Sequence, residues 1–153
     1  SSAAFFSALT LLNKDSSIKI KNVGLNPTRI GFYKILKSRG AKIKFINLKK
    51  KNNETSGDIL VLNSKIKPIK ASRKYYVNST DEYPILFIIA ALTEGISTFA
   101  GIKDLANKES NRIKEMQNIL KQIGVKSKFS KNNLIIHGKE KNSFKKKKIT
   151  VKN

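Results

Sequence analysis

The chain has 153 residues, 39% of them hydrophobic, which is enough to form the core of one ordinary domain. Lys and Arg number 32 against 10 Asp and Glu, so the formal charge of +22 repels cations and attracts phosphate-bearing partners. Cysteine is absent, which excludes disulfides and thiolate metal sites, and no apolar run reaches the roughly 18 residues that predict a membrane span.

Helix and strand patterns alternate in the first half of the chain. The sequence predicts an apolar helix from Ala3 to Leu12 and a half-buried strand over 16–24. In the next helix we expect Asn26 as the cap, Pro27 as the first helical residue and Gly40 as the stop. The half closes with predicted strands at 41–48 and 59–64, joined by a polar turn over 49–58.

The second half begins after an irregular stretch around Pro68. Its longest apolar run is TDEYPILFIIAALTEG, residues 80–95. Asp81 and Glu82 stand where unpaired N–H groups favour acids, so we predict that a buried helix begins there. The remaining pattern is a strand at 97–102, a charged connection, a helix at 110–124 and a hairpin at 125–138.

The two halves are similar to each other. Residues 34–45, KILKSRGAKIKF, match residues 118–129, NILKQIGVKSKF, with Gly40 opposite Gly124. Because one amphipathic unit cannot bury its own apolar face, the repetition predicts two units packed side by side. The alternative is chance similarity between two Lys-rich helix ends. We expect the repeats at about 1–66 and 80–138, followed by a Lys-rich tail at 139–153.

Two groups of side chains are candidates for chemistry. The connection KDLANKESNRIK holds Lys108, Glu109 and Arg112, which is either a functional insertion between repeats or a helix start with a weak surface ion pair. The single histidine, His137, ends the run NNLIIHG with no second histidine near it. We therefore expect His137 to be a surface residue and not a metal ligand or a catalytic base.

Four segments in this order resemble one enzyme family. SSAAFF, KNVGLNPTRIG, DEYPIL and KESNRI are similar to the middle of 5-enolpyruvylshikimate-3-phosphate (EPSP) synthases, also called 3-phosphoshikimate 1-carboxyvinyltransferases. The resemblance runs from Ser1 to about Gly138. The NPTR and DEYP forms resemble the branch that includes glyphosate-tolerant bacterial enzymes more than the enteric branch.

The resemblance implies an α/β (α+β) fold. In this family each of two domains holds three βαβαββ units, with helices packed inside mixed sheets. Residues 1–153 resemble about two of the three units of the domain that carries both chain termini, and the other domain is absent. The chain would then be a partial enolpyruvyl transferase domain, and we expect the isolated fragment to be inactive.

The resemblance also implies a reaction and its partners. The enolpyruvyl group of phosphoenolpyruvate is transferred to the 5-hydroxyl of shikimate 3-phosphate, and phosphate is released, in the route to aromatic amino acids. No metal or organic cofactor is required. The expected partners are these two substrates and the missing second domain. We expect no specific nucleic acid and no membrane, a monomer when intact, and a cytoplasmic location.

Site roles follow from the resemblance by motif. Asp81 matches the family's catalytic aspartate near the reacting hydroxyl, and Glu109 matches a glutamate in proton transfer at the phosphoenolpyruvate methylene. Lys108 and Asp104 would contact shikimate 3-phosphate, and Arg112 would hold phosphoenolpyruvate. The chain departs from the family's LRVKESDR at Ala106, Asn107 and Asn111. These changes leave Lys, Glu and Arg in place, so they affect the residues that surround the set more than its chemistry.

Two other functions fit parts of the sequence. The charge of +22 and the tail KNSFKKKKITVKN are compatible with a basic nucleic-acid-binding module. Against this, the lysines are scattered, and the abundance of Lys, Asn and Ile is typical of an AT-rich coding sequence. The related transferase acting on UDP-N-acetylglucosamine shares the fold, but the NPTR and DEYP pair argues against it.

Overall fold

The computed structural model describes residues 2–27, 29–102, 111–146 and 148–151. In the first half the elements are α1 (Ser2–Leu12), β1 (Ser17–Gly24), α2 (Gly31–Ser38), β2 (Lys42–Lys51) and β3 (Glu54–Leu62). In the second half they are β4 (Lys70–Ala71), α3 (Tyr76–Ser79), α4 (Tyr83–Ala91), β5 (Gly95–Phe99), α5 (Arg112–Gln122), β6 (Lys126–Ser130) and β7 (Asn133–Gly138). Short 3₁₀ turns at Arg73–Tyr75 and Thr80–Glu82 flank α3, and a third lies at Lys141–Ser143.

The two halves form sheets with the same strand arrangement. The first sheet has the order β1-β3-β2, with both pairs antiparallel. The second has the order β4-β5-β7-β6, in which β5, β7 and β6 repeat that arrangement and β4 adds a parallel pair. The stretch around Pro68 that looked irregular in sequence therefore leads into a short strand.

Helices α2 and α5 end in the same backbone motif. The N–H groups of Gly40 and Ala41 donate to the carbonyls of Lys37 and Leu36, at 3.1 Å each. In α5 the bonds run from Gly124 to Lys121 and from Val125 to Leu120, at 3.0 and 2.8 Å. Both glycines have positive φ, +98° and +83°, as a Schellman cap requires. The predicted stop at Gly40 is confirmed.

The polar turn predicted over 49–58 is much shorter in the structure. Strand β2 continues to Lys51 and pairs with Glu54, which leaves only Asn52 and Asn53 in the turn. Their φ values are 50° and 62°, and a two-residue hairpin turn of type I′ needs positive φ at both positions. Lys131 and Asn132 make the equivalent turn between β6 and β7.

The predicted start of α2 is also wrong. Helix α2 begins at Gly31, and Asn26 and Pro27 belong to the loop before it. Asn26 does not cap the helix, because its Oδ1 accepts from the backbone N–H of Thr55 at 3.3 Å. The side chain of Asn26 thus bonds to β3 and not to the helix that follows it.

The core lies between the apolar helices and the inner faces of the two sheets. Helix α1 packs on β1 and β3, and α4 packs on β7 and on α1. The rings of Tyr83, Phe87 and Phe99 meet edge to face with centroids 4.8 to 6.1 Å apart. Within the described residues, no helix combines the length and apolar character needed to cross a bilayer.

Candidate functional site

A cavity of about 330 Å³ lies where α1 and α4 begin. Its lining includes Ala3 of α1, Arg29 and Tyr33 of the α2 region, and Asp81 and Glu82 just before α4. A separate cavity of about 210 Å³ lies where both helices end, and its lining includes Leu11 and Leu12 of α1 and Leu92 and Thr93 just after α4. The two packed helices therefore run parallel, and their starts converge on the first cavity.

Arg29 is held by the loop before α2. Its backbone N–H donates to the carbonyl of Asn26 at 2.8 Å and closes a tight turn. This turn is fastened to β3, since Leu25 N–H donates to Thr55 O at 2.8 Å and Thr55 N–H donates to the Asn26 side chain. The exposed Arg29 side chain then passes Gly24, where an added Cβ would lie 3.9 Å from its Cδ. The loop presents one cation to the cavity.

Asp81 does not stand at a free helix start as the sequence indicated. It lies in the 3₁₀ turn Thr80–Glu82, which continues directly from α3, and α4 begins only at Tyr83. Thr80 does not cap this helix, because its Oγ1 donates to the carbonyl of Tyr76 at 2.7 Å. The N–H of Tyr83 donates to the carbonyl of Thr80, so it is not a free group of a helix start. Asp81 itself is exposed on the cavity rim.

The loop of Arg29 and the turn of Asp81 come together through a glycine. An added Cβ on Gly31 would lie 2.3 Å from Ser79 Oγ and 3.6 Å from Ser79 Cβ. Ser79 is only 2% exposed, so the start of α2 presses directly against the end of α3. The contact between Gly31 and Ser79 brings the loop of Arg29 close to the turn of Asp81, and both line the cavity.

One residue of the cavity lining is a buried tyrosine. Tyr33 is 4% exposed, and its hydroxyl lies 3.0 Å from Ser7 Oγ. Burial raises the pKa of Tyr33, the hydrogen bond to Ser7 opposes that rise, and the negative charge of Glu82 adds to it. Tyr33 therefore keeps its proton near neutral pH.

The sequence matches one family along nearly all of its length. The family model of EPSP synthase (3-phosphoshikimate 1-carboxyvinyltransferase) matches residues 1–152.

The chain belongs to the EPSP synthase family.

Individual relatives and a solved structure agree with this assignment. The 3-phosphoshikimate 1-carboxyvinyltransferase of Petrotoga mobilis is 43% identical over 125 residues, 82% of this chain and 29% of the relative. That of Aquifex aeolicus is 40% identical over 139 residues, 90% of this chain and 32% of the relative. EPSP synthase from Acinetobacter baumannii superposes with a TM-score of 0.84 at 35% identity, over 91% of this chain and 32% of that one.

These matches confirm the predicted fold class and define its extent. The chain has the mixed α/β fold of EPSP synthases. It spans about a third of the length of the relatives it matches. The relatives and the solved structure all bear the name EPSP synthase or its synonym, so they support neither the nucleic-acid-binding alternative nor the UDP-N-acetylglucosamine transferase.

The predicted site residues fall in three places. Asp81 lines the cavity. Arg112 is the exposed first residue of α5 and is not among the residues that line this cavity. Asp104, Lys108 and Glu109 lie outside the described residues. Their predicted roles stay predictions.

Asn111, where the chain departs from the EPSP synthase pattern, has a structural function. Its side chain accepts a hydrogen bond from Lys114 N–H at 3.2 Å and caps α5. Its backbone is left-handed, with φ 43° and ψ 67°, which Asn tolerates better than most residues. The asparagine therefore supplies its own support for the helix that carries Arg112.

Arg29 and Tyr33 were not predicted as site residues. Arg29 was visible in sequence only as the single arginine of a compact turn, and Tyr33 only as an apolar position of a helix. The signal that could have identified Arg29 was its place in the NPTR motif.

His137 is exposed in β7, opposite Ile96 and Lys126. Among the described residues, no three His, Cys, Asp or Glu side chains form a group that could hold a metal ion.

Proposed function

We propose that this chain is part of an EPSP synthase that transfers the enolpyruvyl group of phosphoenolpyruvate to shikimate 3-phosphate. The 5-hydroxyl oxygen bonds to C2 of phosphoenolpyruvate while C3 gains a proton. The tetrahedral intermediate then loses a proton from C3 and expels phosphate, which restores the double bond. The observation that carries the proposal is the cavity that joins Asp81 of the DEYP motif to Arg29 of the NPTR motif.

The cavity has the chemistry that an anionic, hydroxylated substrate needs. The guanidinium of Arg29 suits a phosphate or carboxylate because it offers paired N–H donors. Asp81 on the same rim can accept a hydroxyl proton. One cation and one base thus lie on the same cavity.

The remaining roles come from the motif that follows β5. We propose Glu109 for proton transfer at the methylene carbon, Lys108 and Asp104 for shikimate 3-phosphate, and Arg112 for phosphoenolpyruvate. Lysine and arginine would hold the several negative charges of the two substrates, and a carboxylate suits the carbon proton if its neighbours adjust its pKa.

Several features of the whole enzyme belong to the same proposal. They are the two repeats at about 1–66 and 80–138, a second domain that completes the cleft, and a monomeric, cytoplasmic enzyme. The 153-residue chain alone is then expected to bind shikimate 3-phosphate weakly and to show no turnover.

The test joins this chain to the rest of a full-length relative. In the Aquifex aeolicus enzyme, the matching segment is replaced by this chain, and the hybrid is expressed in bacteria that cannot make aromatic amino acids. We expect growth without aromatic supplements. Asp81→Ala should abolish rescue while the protein remains folded, because the hydroxyl proton loses its acceptor.

Glu94→Ala is the matched control. Glu94 is an exposed acid that lines the separate cavity at the far end of α4, so its loss should leave rescue intact. Undiminished growth of the Asp81→Ala hybrid would refute the assignment of Asp81. A hybrid that folds but never restores growth would refute the proposed activity.

A further inference from the structure

Tyr33 is fixed in one orientation by its ring contacts. Phe32 meets it edge to face at 5.1 Å between centroids, and Phe45 of β2 does so at 6.1 Å. The side chain is 4% exposed, so its ring has little freedom to move. Its hydroxyl therefore occupies a defined position beside Ser7.

A chain of hydrogen bonds connects that hydroxyl to the first turn of α1. Ser7 Oγ donates to the carbonyl oxygen of Ala3 at 2.7 Å. Because a serine hydroxyl has one proton to donate, the 3.0 Å contact between Ser7 Oγ and Tyr33 must have the tyrosine as donor. The order is Tyr33 to Ser7 to Ala3, and Ala3 lines the cavity.

The protonation of Tyr33 suits a permanent donor. Burial and the nearby carboxylate of Glu82 both disfavour the phenolate, so the pKa of Tyr33 is raised. The bond to Ser7 is consequently made by the neutral phenol throughout the ordinary pH range. The bond joins two different helices, α2 and α1, and each contributes a residue to the cavity lining.

We infer that Tyr33 and Ser7 are positioning residues that hold the first turn of α1 against the Arg29 loop and so set the shape of the anion-binding cavity. The inference rests on the proposed function, since it takes shikimate 3-phosphate as the ligand of that cavity. Neither side chain takes part in the reaction itself. Their effect reaches the ligand through Ala3 and the backbone of α1.

The test is the loss of one hydroxyl group. Tyr33→Phe keeps the ring contacts and removes only the donor, and Ser7→Ala removes its acceptor. Affinity for shikimate 3-phosphate is measured on the 153-residue chain by NMR titration, at a temperature where every variant is fully folded. We expect each change to raise the Kd about 3- to 10-fold, which is the loss of one hydrogen bond. The double variant should be no weaker than either single one, because both changes break the same chain of bonds.

Tyr83→Phe is the matched control. It removes a phenolic hydroxyl from an equally buried tyrosine, 0% exposed, that does not line the cavity. We expect its Kd to equal that of the unaltered chain. A purely structural role for Tyr33 predicts lower stability with an unchanged Kd, and that result would overturn the inference. So would additive losses in the double variant.

A second readout needs no ligand and separates the inference from the proposed function. Amide hydrogen exchange in α1 should quicken at least about tenfold in Tyr33→Phe but not in Tyr83→Phe, while exchange in α4 should not quicken in either variant. If the unaltered chain does not bind shikimate 3-phosphate, the proposed function fails and this exchange result decides the positioning role. Equal exchange in the two variants would overturn it.

Discussion

The backbone of Gly31 lies so close to Ser79 that a Cβ on the glycine would be 2.3 Å from the serine hydroxyl oxygen. Gly31 follows the NPTR turn, and Ser79 precedes Asp81 by two residues. The contact therefore joins the two motifs that line the candidate site. Every side chain larger than hydrogen at position 31 must push them apart or force Ser79 to turn.

Gly31→Ala should destabilise the protein by about 1 to 3 kcal/mol, the usual effect of overpacking a tight contact. Removing the Ser79 hydroxyl should restore most of the loss, because the next atom, Ser79 Cβ, would lie at an ordinary 3.6 Å. Urea unfolding of Gly31→Ala, Ser79→Ala and the double variant measures this coupling. Strictly additive effects would show that the hydroxyl turns away without cost.

Asp58 should make stability depend on pH in the acid range. Its carboxylate accepts from Asn22 N–H at 3.1 Å and from Asn47 Nδ2 at 2.8 Å, and so bridges the irregular positions of β1 and β2. The hydrogen bond from Asn47 and then that from Asn22 lower the pKa of Asp58, and desolvation only partly opposes them. The pKa of Asp58 is therefore lower in the folded protein than in the unfolded chain, where it is about 3.9. The ionised carboxylate stabilises the fold above about pH 3.9, and this stabilisation is lost as the pH falls through the pKa of the folded state.

Asp58→Asn should therefore lower the melting temperature at pH 7, and its difference from the unaltered chain should shrink as pH falls below about 4. Melting curves between about pH 2 and 7 measure this. Glu54→Gln, at an exposed position of the same strand, controls for the loss of one negative charge. A difference that is constant across this range would contradict the assignment of the titrating group.

Asn111 should stabilise α5 in two separable ways. Asn111→Ala removes the oxygen that accepts from Lys114 N–H. It also puts alanine at a backbone φ of 43°, which asparagine tolerates better. We expect a loss of about 0.5 to 2 kcal/mol in the free energy of unfolding. Asn111→Gly removes the same oxygen but suits the positive φ, so it should lose less. An alanine variant as stable as the unaltered chain would exclude a capping role.

The hydroxyl of Tyr83 should cost stability. It is fully buried, and it has no hydrogen-bond partner among the described residues. Burial is also the main cause that raises the pKa of Tyr83. Tyr83→Phe should raise the free energy of unfolding by about 1 to 2 kcal/mol, since an unpaired buried polar group is removed. A loss of stability in denaturant titrations would mean that the hydroxyl has a partner.

Local backbone chemistry explains most of what could be predicted. The matching segments ending at Gly40 and Gly124 form equal caps because a Schellman motif needs only a residue that accepts positive φ and two carbonyls of its own helix. The turn at 52–53 is shorter than predicted, since the lysines at the end of β2 gave that strand a loop-like composition. The hairpin predicted at 125–138 is confirmed, with its turn at 131–132. Strand β4 was missed because its two residues pair only with β5, across the fold.

The sequence by itself determined the family and the alternation of helices and strands, because those depend on neighbours in the chain and on motifs that are recognisable without the fold. The tertiary structure alone decided what stands beside Asp81. Asn26 turned from a helix cap into an anchor for Thr55, and Arg29, Tyr33 and Asp81 met on one cavity, because the chain folds the starts of α1 and α4 together. Contacts between segments about 50 residues apart depend on packing geometry, and no local pattern records them.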